Sequence, residues 1–276
     1  MDITKVLPEE CLSLIVSLTS PRDACRSSLV SHSFRLAADS DAVWDRFLPS
    51  DWLQNISDSD SDLSSVQELS SLSSKQIFLR LCGNGVLLNN GTLLFSLGKE
   101  SGKKLYVIGA RRLAISWGDT PSYWKWKSLQ ESRFPEVAEL KIVWWFEVKG
   151  KIESKLLSPN TTYAAYLVFK FINSTAYNRI VGFDRRVQAG IGYEGTVLLG
   201  GQKRKVLLDP PTKKKRKKVH VPRDRGDGWK EVEIGRIFIE DGDDGNVAFY
   251  VQELNPHNSK GGLIIEGIEF RPQVSR

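Results

Sequence analysis

Four aromatic residues in one short segment have the side-chain types that a carbohydrate-binding site uses. They are Trp117, Tyr123, Trp124 and Trp126. Asp119 and Lys125 lie between them, and Gly118 with Pro121 predicts a turn that leaves some rings partly exposed. Sugar rings stack their apolar C–H faces on such side chains, while acids and amides bind the hydroxyls. The alternative is that these are core or domain-packing residues, because Trp is highly buried on average.

A basic run is the second feature with a specific chemistry. It consists of Lys213, Lys214, Lys215, Arg216, Lys217 and Lys218. Such runs are typical of nuclear import signals or nucleic-acid patches, and the alternative is a solvated hairpin loop. The chain has 39 basic and 33 acidic residues, so without the six charges of the run 33 of each remain. We therefore expect an importin partner and a distribution between nucleus and cytoplasm, and we expect no broad nucleic-acid-binding face.

The sequence contains no recognisable catalytic or metal-binding pattern. Gly190 to Gly195 fits the G-x-G-x-x-G pattern, but dinucleotide binding requires a helix there, and Thr196 to Leu199 predicts a strand. The three Cys residues form no C-x-x-C pair and indicate a reducing compartment, and only three His residues are present. We expect no enzyme activity, no cofactor and no metal ion. No apolar run approaches the roughly 18 residues of a membrane span, so we expect no membrane partner.

Residues 7–47 predict three short helices. Pro8 suits the first position of the first helix, and the other two start at Ser20-Pro21 and Ser40-Asp41. One face of the first helix has the i, i+3, i+4, i+7 spacing through Cys11, Leu14, Ile15 and Leu18. A unit of about 40 residues rarely buries a sufficient core alone, so the surplus of apolar residues predicts an interface. The alternative is a terminal cap that packs on its own chain.

The same stretch resembles an F-box over Val6 to Leu48. The resemblance rests on Leu7-Pro8-Glu9, Ser20-Pro21-Arg22-Asp23, Leu29-Val30-Ser31 and Trp44. It implies docking onto the Skp-type adaptor of a ubiquitin ligase and, through the adaptor, onto a cullin. The residues expected to contact the adaptor are Leu7, Pro8, Leu14, Ile15, Leu18, Pro21, Leu29 and Val30.

The rest of the chain changes composition twice. Residues 53–83 predict a flexible Ser- and Asp-rich linker up to Ser74 and then a short helix from Lys75 to Cys82. From residue 84 onward, about ten short apolar runs separated by turn residues predict an antiparallel sandwich or barrel. The predicted domains are therefore 1–52, 53–83 and 84–276.

Lys104 to Pro272 is similar to the phloem-protein-2 or Nictaba-type lectins. The matching blocks are Ile115 to Trp126, Phe134 to Leu140, Trp145 to Ile152, Tyr163 to Lys170, Asp227 to Trp229, Gly262 to Ile264 and Phe270 to Pro272. The resemblance implies a jelly-roll-like β-sandwich that binds N-acetylglucosamine oligomers or N-glycan cores.

The residues expected to bind carbohydrate are Trp117, Trp124, Trp126, Asn246 and Glu253. By resemblance, Trp117 and Trp124 match the tryptophans of the lectin site, and Glu253 matches an acid that contacts hydroxyls. Asn246 stands where the sugar-binding lectins carry a second acid, which is a departure from the pattern. The remaining tryptophans expected in the core are Trp144, Trp145 and Trp229.

The predicted fold class is α+β, with a small three-helix F-box followed by an antiparallel, jelly-roll-like β-sandwich, as in plant F-box lectins. The expected function is substrate recognition for a Skp–cullin–F-box ubiquitin ligase, with glycoproteins as targets and no catalysis by this chain. The alternatives are a free nucleocytoplasmic lectin with an incidental helical cap, and a protein-binding domain that has lost sugar binding.

Overall fold

The structure, a computed structural model, describes residues 7–57, 63–172, 182–183, 186–197, 201–209 and 220–273. The chain forms two compact units. The first comprises Met1–Asn90, Leu94–Leu105 and Val274–Arg276, and the second comprises Gly91–Leu93 and Tyr106–Gln273. The first unit is mainly helical and the second consists mainly of antiparallel strands, which confirms the predicted α+β class.

The described residues contain seven α-helices, all in the helical unit. They are α1 Glu9–Ser17, α2 Pro21–Ser27, α3 His32–Asp39, α4 Asp41–Phe47, α5 Trp52–Ser57, α6 Leu63–Ser70 and α7 Ser74–Gly83. Four of these helices precede residue 48, so the prediction of three was wrong. The additional helix is α3, and it begins there because the hydroxyl of Ser31 accepts the backbone N–H of Phe34. Ser20 caps α2 in the same way by accepting the N–H of Asp23, as its position before Pro21 predicted.

α1 has an apolar side that it buries and another that it exposes. The buried residues are Leu12, Ser13, Val16 and Ser17. The small Ser13 and Ser17 permit close packing, and the Ser13 hydroxyl donates to the carbonyl of Ala37 in α3 at 3.4 Å. The face that the spacing selected, with Leu14, Ile15 and Leu18, is exposed.

Trp44 of α4 lies at the centre of the helical core and is fully buried. Its ring centroid is 5.6 Å from that of Phe47 and 5.1 Å from that of Phe78 in α7. Its Nε1–H donates to the carbonyl of Ala38 at 2.7 Å, which satisfies the indole in the core. Because α7 contributes Phe78, the helical core extends past the predicted boundary at residue 52.

The prediction of a flexible linker from Leu53 to Ser74 was wrong where α5 and α6 form. Ile56 of α5 and Leu69 of α6 are buried, and burial of these side chains favours helix in a segment whose composition is otherwise polar. Residues 58–62 of the Ser/Asp run lie outside the described residues.

The strands belong mostly to the second unit. Their bounds are β1 Val86–Leu88, β2 Leu93–Leu97, β3 Lys104–Gly109, β4 Ala114–Ile115, β5 Trp124–Lys127, β6 Val137–Leu140, β7 Phe146–Glu153, β8 Thr161–Phe171, β9 Arg186–Tyr193, β10 Gln202–Leu207, β11 Arg223–Asp224, β12 Lys230–Ile239, β13 Asn246–Glu253 and β14 Leu263–Pro272. β1 and most of β2 lie in the helical unit, and β3 continues from the first unit into the second. The G-x-G-x-x-G residues end β9 and enter a turn that runs to Val197, so the strand predicted from Thr196 does not start there; residues 198–200 lie outside the described ranges.

Two antiparallel sheets form the β-rich unit. One has the order β3-β14-β8-β12-β11, with β6 of the β5–β6 pair bound to β14, and the other has the order β10-β9-β13-β7-β4. The sheets pack face to face, and the rings of Phe249 in β13 and Phe270 in β14 meet across the core with centroids 5.6 Å apart. This arrangement confirms the predicted antiparallel sandwich.

Two glycines permit close approaches at irregularities of the central strands. An added Cβ at Gly267 in β14 would lie 2.1 Å from the carbonyl oxygen of Ile108 in β3. An added Cβ at Gly235 in β12 would lie 2.2 Å from the Ile191 side chain of β9 in the other sheet. Any side chain at these positions would push apart the strands or the sheets that meet there.

Candidate functional site

The first candidate is an exposed apolar surface of the helical unit, which we call the apolar helical surface. It consists of Leu14, Ile15, Leu18, Leu29 and Val30, whose exposed fractions are 56%, 47%, 66%, 78% and 70%. The first three lie on or just after α1, and the last two lie in the turn between α2 and α3. Exposed apolar patches on soluble proteins mark interaction sites when they exceed the scattered single residues of an ordinary surface.

The other residues predicted to contact the adaptor differ in exposure. Pro8 is exposed and occupies the N-cap position of α1, and Leu7 is half-buried. Pro21 is buried, which contradicts its predicted contact with an adaptor; it starts α2 at the first helical position, where proline is favoured. Leu36 of α3 is also exposed, at 45%, and was not among the predicted contact residues.

The second candidate lies at one end of the β-sandwich, where Trp117 follows β4. The backbone N–H of Ser116 donates to the carbonyl of Glu147 in β7 at 3.0 Å, which fixes this turn beside the start of β7. The Trp117 ring is 48% exposed and its centroid is 5.9 Å from that of Tyr123. Trp117 also has a φ of +57°, in the left-handed region that disfavours bulky side chains. A strained backbone under a half-exposed indole is an outlier of the kind that clusters at ligand-binding sites.

The structure assigns Trp124 to the core, contrary to its predicted role as a stacking surface. Its ring is 2% exposed and 6.5 Å from Phe146, and its Nε1–H donates to the carbonyl of Ser116 at 3.1 Å. Trp126 is half-buried, and its Nε1–H donates to the carbonyl of Gly118 at 3.0 Å. The guanidinium of Arg111 lies 3.7 Å from the centre of the Trp126 ring and covers it. Both rings therefore support the turn that carries Trp117.

An open cleft of about 800 Å³ adjoins this turn. Its lining includes the charged residues Asp119, Lys125, Glu139 and Lys141 together with Trp126 and Ile142. Small-molecule sites commonly have volumes of about 300–1,000 Å³ and combine apolar walls with a few convergent polar groups. The cleft has the size and the mixed lining that a short oligosaccharide would require.

Trp144 and Trp145 are exposed, so the prediction that they belong to the core was wrong. Their exposed fractions are 50% and 44%, and they lie just before β7. Strand periodicity could not reveal this, because the two residues precede the strand in a bend. Trp229 is 1% exposed, as predicted, and its Nε1–H donates to the carbonyl of Glu131.

Glu253 and Asn246 lie at opposite ends of β13 and do not form one site. Asn246 pairs with Glu153 at the end of β7, whereas Glu253 pairs with Phe146 at its start. The Asn246 amide donates to Glu194 at 2.7 Å, and hydrogen bonds from Lys151 and then Asn246 lower the pKa of Glu194. Glu253 lies at the tryptophan end but forms an ion pair with Lys260 at 2.7 Å.

A buried ionic network holds other strands of the unit together. It consists of Arg133, Arg225, Arg271, Glu231, Glu266 and Glu269. Arg133 lies 2.6 Å from Glu266 and 2.8 Å from Glu269, and Arg225 lies 2.9 Å from Glu269. Burial by itself would raise the pKa of Glu269, but the Arg133, Arg271 and Arg225 guanidiniums lower that pKa to about 2. The carboxylates are satisfied by protein groups, so this network has a structural role.

Three further findings bear on the expected partners and metal ions. The predicted import run Lys213 to Lys218 lies outside the described residues. Within the described ranges, no cluster of three or more His, Cys, Asp or Glu residues could hold a metal ion. None of the helices observed in those ranges is long and apolar enough to cross a membrane.

Comparison with known proteins matches both units. The phloem protein 2 family matches residues 103–272, and the F-box-like family matches residues 4–56. F-box protein PP2-B1 of Arabidopsis thaliana is 38% identical over an alignment of 317 positions, gaps included, and the alignment covers 98% of this chain and 90% of the relative. Putative F-box protein PP2-B12 of the same plant is 41% identical over 267 residues, which cover 97% of each chain.

These matches agree with the geometry of both units. The F-box match spans the apolar helical surface, and the phloem protein 2 match spans the sandwich and its tryptophan-bearing end. The chain therefore belongs to the family of plant F-box proteins in which an N-terminal F-box is joined to a lectin-like phloem protein 2 domain.

Proposed function

We propose that this chain is the substrate-recognition subunit of a Skp–cullin–F-box ubiquitin ligase and that its lectin-like unit binds glycoprotein targets. F-box proteins are typically non-catalytic subunits of these ligases, so ubiquitin transfer would belong to the partners. This chain would supply proximity between target and transfer machinery. The observation that carries the proposal is the apolar helical surface, because it lies within the F-box match and is exposed in the helical unit.

The adaptor contact can be tested on the full chain by pull-down with a purified Skp-type adaptor. Leu14→Asp combined with Leu18→Asp should reduce adaptor capture by at least a hundredfold, because a charge buried in an apolar interface costs several kcal/mol. Leu53→Asp is the matched control, since Leu53 is a 42% exposed helical Leu outside the predicted contact set. Equal capture by the double variant and the control would contradict the proposal.

The glycan part of the proposal is supported by Trp117 and the adjoining cleft. An exposed indole beside fixed charged groups presents the two kinds of contact that a sugar needs, an apolar face and hydrogen-bonding groups. The proposed ligands are N-acetylglucosamine oligomers or N-glycan cores. Isothermal titration with chitotriose, the trimer of N-acetylglucosamine, and with an N-glycopeptide tests this step. Absence of heat with both ligands would favour a protein-binding surface on a lectin scaffold.

We also propose that the protein is distributed between nucleus and cytoplasm through an importin. The support is the basic run Lys213 to Lys218, whose six charges account for the whole net charge of +6. Replacing all six residues with Ser should shift a fluorescent fusion toward the cytoplasm. An unchanged nuclear fraction would contradict this step.

A further inference from the structure

Trp144 and Trp145 form an exposed aromatic pair at the end of the sandwich that also carries Trp117. Burial of these two indoles would favour folding, because it would remove their apolar surface from water, and their exposure leaves most of that free energy ungained. Both precede β7, which starts at Phe146, and Trp117 follows a residue that is hydrogen-bonded to Glu147 of β7. The three exposed indoles are thus brought to one end of one strand by the backbone pairing.

A buried lysine holds this exposed segment in place. Lys260 is fully buried, and its Nζ lies 2.6 Å from the carbonyl oxygen of Trp144 and 2.7 Å from that of Asn255. Its third contact is the Glu253 carboxylate at 2.7 Å. Two of the three ammonium N–H donors therefore bind backbone carbonyls, and the Glu253 carboxylate adds the opposite charge of an ion pair. A buried charge is costly unless it is paired, so a fully buried ammonium that binds two carbonyls and a carboxylate defines the position of the segment.

Backbone hydrogen bonds reinforce the same segment. The N–H of Val143 donates to the carbonyl of Lys260 at 2.9 Å, and the N–H of Lys260 donates to the carbonyl of Val143 at 2.7 Å. The other carboxylate oxygen of Glu253 accepts the N–H of Asn255 at 2.9 Å. The residues on both sides of the tryptophan pair are thus anchored, while the indoles themselves remain exposed.

Fixed oxygen acceptors lie close to these indoles in the chain. The Glu147 carboxylate accepts the Ser116 hydroxyl at 3.1 Å and lies 2.8 Å from the Lys149 ammonium. A carboxylate has about four lone-pair sites, so a positioned one can still accept a sugar hydroxyl. Ile142 of the adjoining cleft is two residues before Trp144, which places the cleft and the aromatic pair along one segment.

We propose that Trp144 and Trp145 are glycan-contacting residues and that the Lys260–Glu253 pair is the positioning element that holds them. The ligand is a glycan whose pyranose rings stack on the indoles and extend toward Trp117 and the cleft. Glu253 then acts through Lys260 and the Trp144 carbonyl, rather than by direct contact with sugar. This inference rests on the proposed glycan recognition and names further residues of that same site.

The aromatic part is tested by isothermal titration of the full chain with chitotriose. Trp144→Ala and Trp145→Ala should each weaken binding about tenfold or more, because truncated aromatic anchors commonly cost that much. Phe238→Ala is the matched control, since Phe238 is a 50% exposed aromatic residue of the same unit and lies on β12. Unchanged binding in both Trp variants would overturn this inference but leave the proposed glycan recognition standing. Absence of binding by the unaltered chain would overturn the glycan proposal and, with it, this inference.

The positioning part is tested with Lys260→Met and Glu253→Gln, with melting temperatures recorded for each. Glu253→Gln leaves the buried Lys260 ammonium without its opposite charge, so it should lower the melting temperature and weaken binding. Lys260→Met should lower affinity, and combining it with Trp144→Ala should add little, because one change acts through the other. Additive losses would contradict the positioning role. If Lys260→Met does not fold, Glu253→Gln combined with Trp144→Ala decides, because a direct contact between Glu253 and sugar predicts an additive loss, whereas a positioning role predicts little further loss.

Discussion

The apolar helical surface and the tryptophan-bearing end of the sandwich are both exposed apolar surfaces, but they arise differently. Leu14, Ile15 and Leu18 follow one another at helical spacing, so a single stretch of sequence creates the surface. Trp117 and Trp144 come from separate turns and lie at the same end of the sandwich because β4 and β7 pair. A surface of the first kind can be recognised from spacing, whereas one of the second kind requires knowledge of long-range pairing.

Each surface contains residues that are exposed and neighbouring residues that are buried and support them. In α1, the residues that hold the helix to its unit are Leu12 and Val16, while Leu14 and Ile15 remain free for a partner. At the sandwich end, Trp124 supports the turn from inside while Trp117 is exposed above it. Similar side chains at neighbouring positions therefore have opposite roles in both units.

The largest expected effect is the loss of stability on removing the supporting indole. Trp124→Ala should lower the free energy of unfolding of the β-rich unit by about 3–5 kcal/mol, because a large buried side chain and its hydrogen bond are lost. For a unit of this size, the melting temperature should fall by roughly 10 °C. Differential scanning calorimetry provides the measurement. A melting temperature that stays within about 2 °C would show that Trp124 does not support the turn.

The next expected effect is a loss of stability at low pH, which should be larger for a buried ion pair than for an exposed one. The arginine neighbours hold the pKa of buried Glu269 at about 2, against an ordinary value of 4.5. A lowered folded-state pKa stabilises the fold above the unfolded value, and this contribution is lost as pH falls from about 4.5 toward 2. The shift corresponds to a contribution on the order of 3 kcal/mol.

Glu269→Gln should therefore melt well below the unaltered chain at pH 7, and the gap should narrow as pH falls toward 2. Glu194→Gln is the matched control, because Glu194 is an exposed carboxylate paired with Lys151 at 3.1 Å. Water screens exposed ion pairs, so the difference in melting temperature between this control and the unaltered chain should be small at every pH. If the melting temperatures of the two variants differ from that of the unaltered chain by the same amount at every pH, the role assigned to the network is contradicted.

A smaller effect on stability, but a clear one on binding, is expected at Trp117. Trp117→Gly relieves a left-handed backbone, which favours the folded state by about 1 kcal/mol, while the flexible glycine in the unfolded chain offsets about the same amount. The melting temperature should change by less than about 2 °C, and affinity for chitotriose should fall about tenfold. A large drop in melting temperature would instead make Trp117 a structural residue, like Trp124.

Much of the fold follows from local sequence signals, and the exceptions have physical causes. Ser20-Pro21 predicted the start of α2, and the apolar runs predicted the antiparallel sheets, because these signals act over a few residues. The linker prediction failed because burial of Ile56 and Leu69 overrides a polar composition. Ser31 was a recognisable capping residue, so the start of α3 could have been found.

The candidate glycan site was predicted less well, because exposure in turns depends on distant partners. Trp124 is buried by Phe146, and Trp144 is positioned by Lys260, which is 116 residues away in the chain. The separation of Asn246 from Glu253 was foreseeable, since seven residues of strand at about 3.3 Å each span roughly 23 Å. A single sugar could not contact both side chains across that distance.

The most direct test is whether this chain links an adaptor to a glycan. Chitotriose-coupled resin is incubated with purified Skp-type adaptor, with or without the chain, and retained adaptor is measured. We predict that adaptor is retained only when the chain is present. The Leu14→Asp, Leu18→Asp variant should bind the resin without adaptor, and the Trp144→Ala, Trp145→Ala variant should leave both proteins in solution. Failure of the unaltered chain to retain adaptor, or retention that survives both variants, would contradict the assignment of the two surfaces.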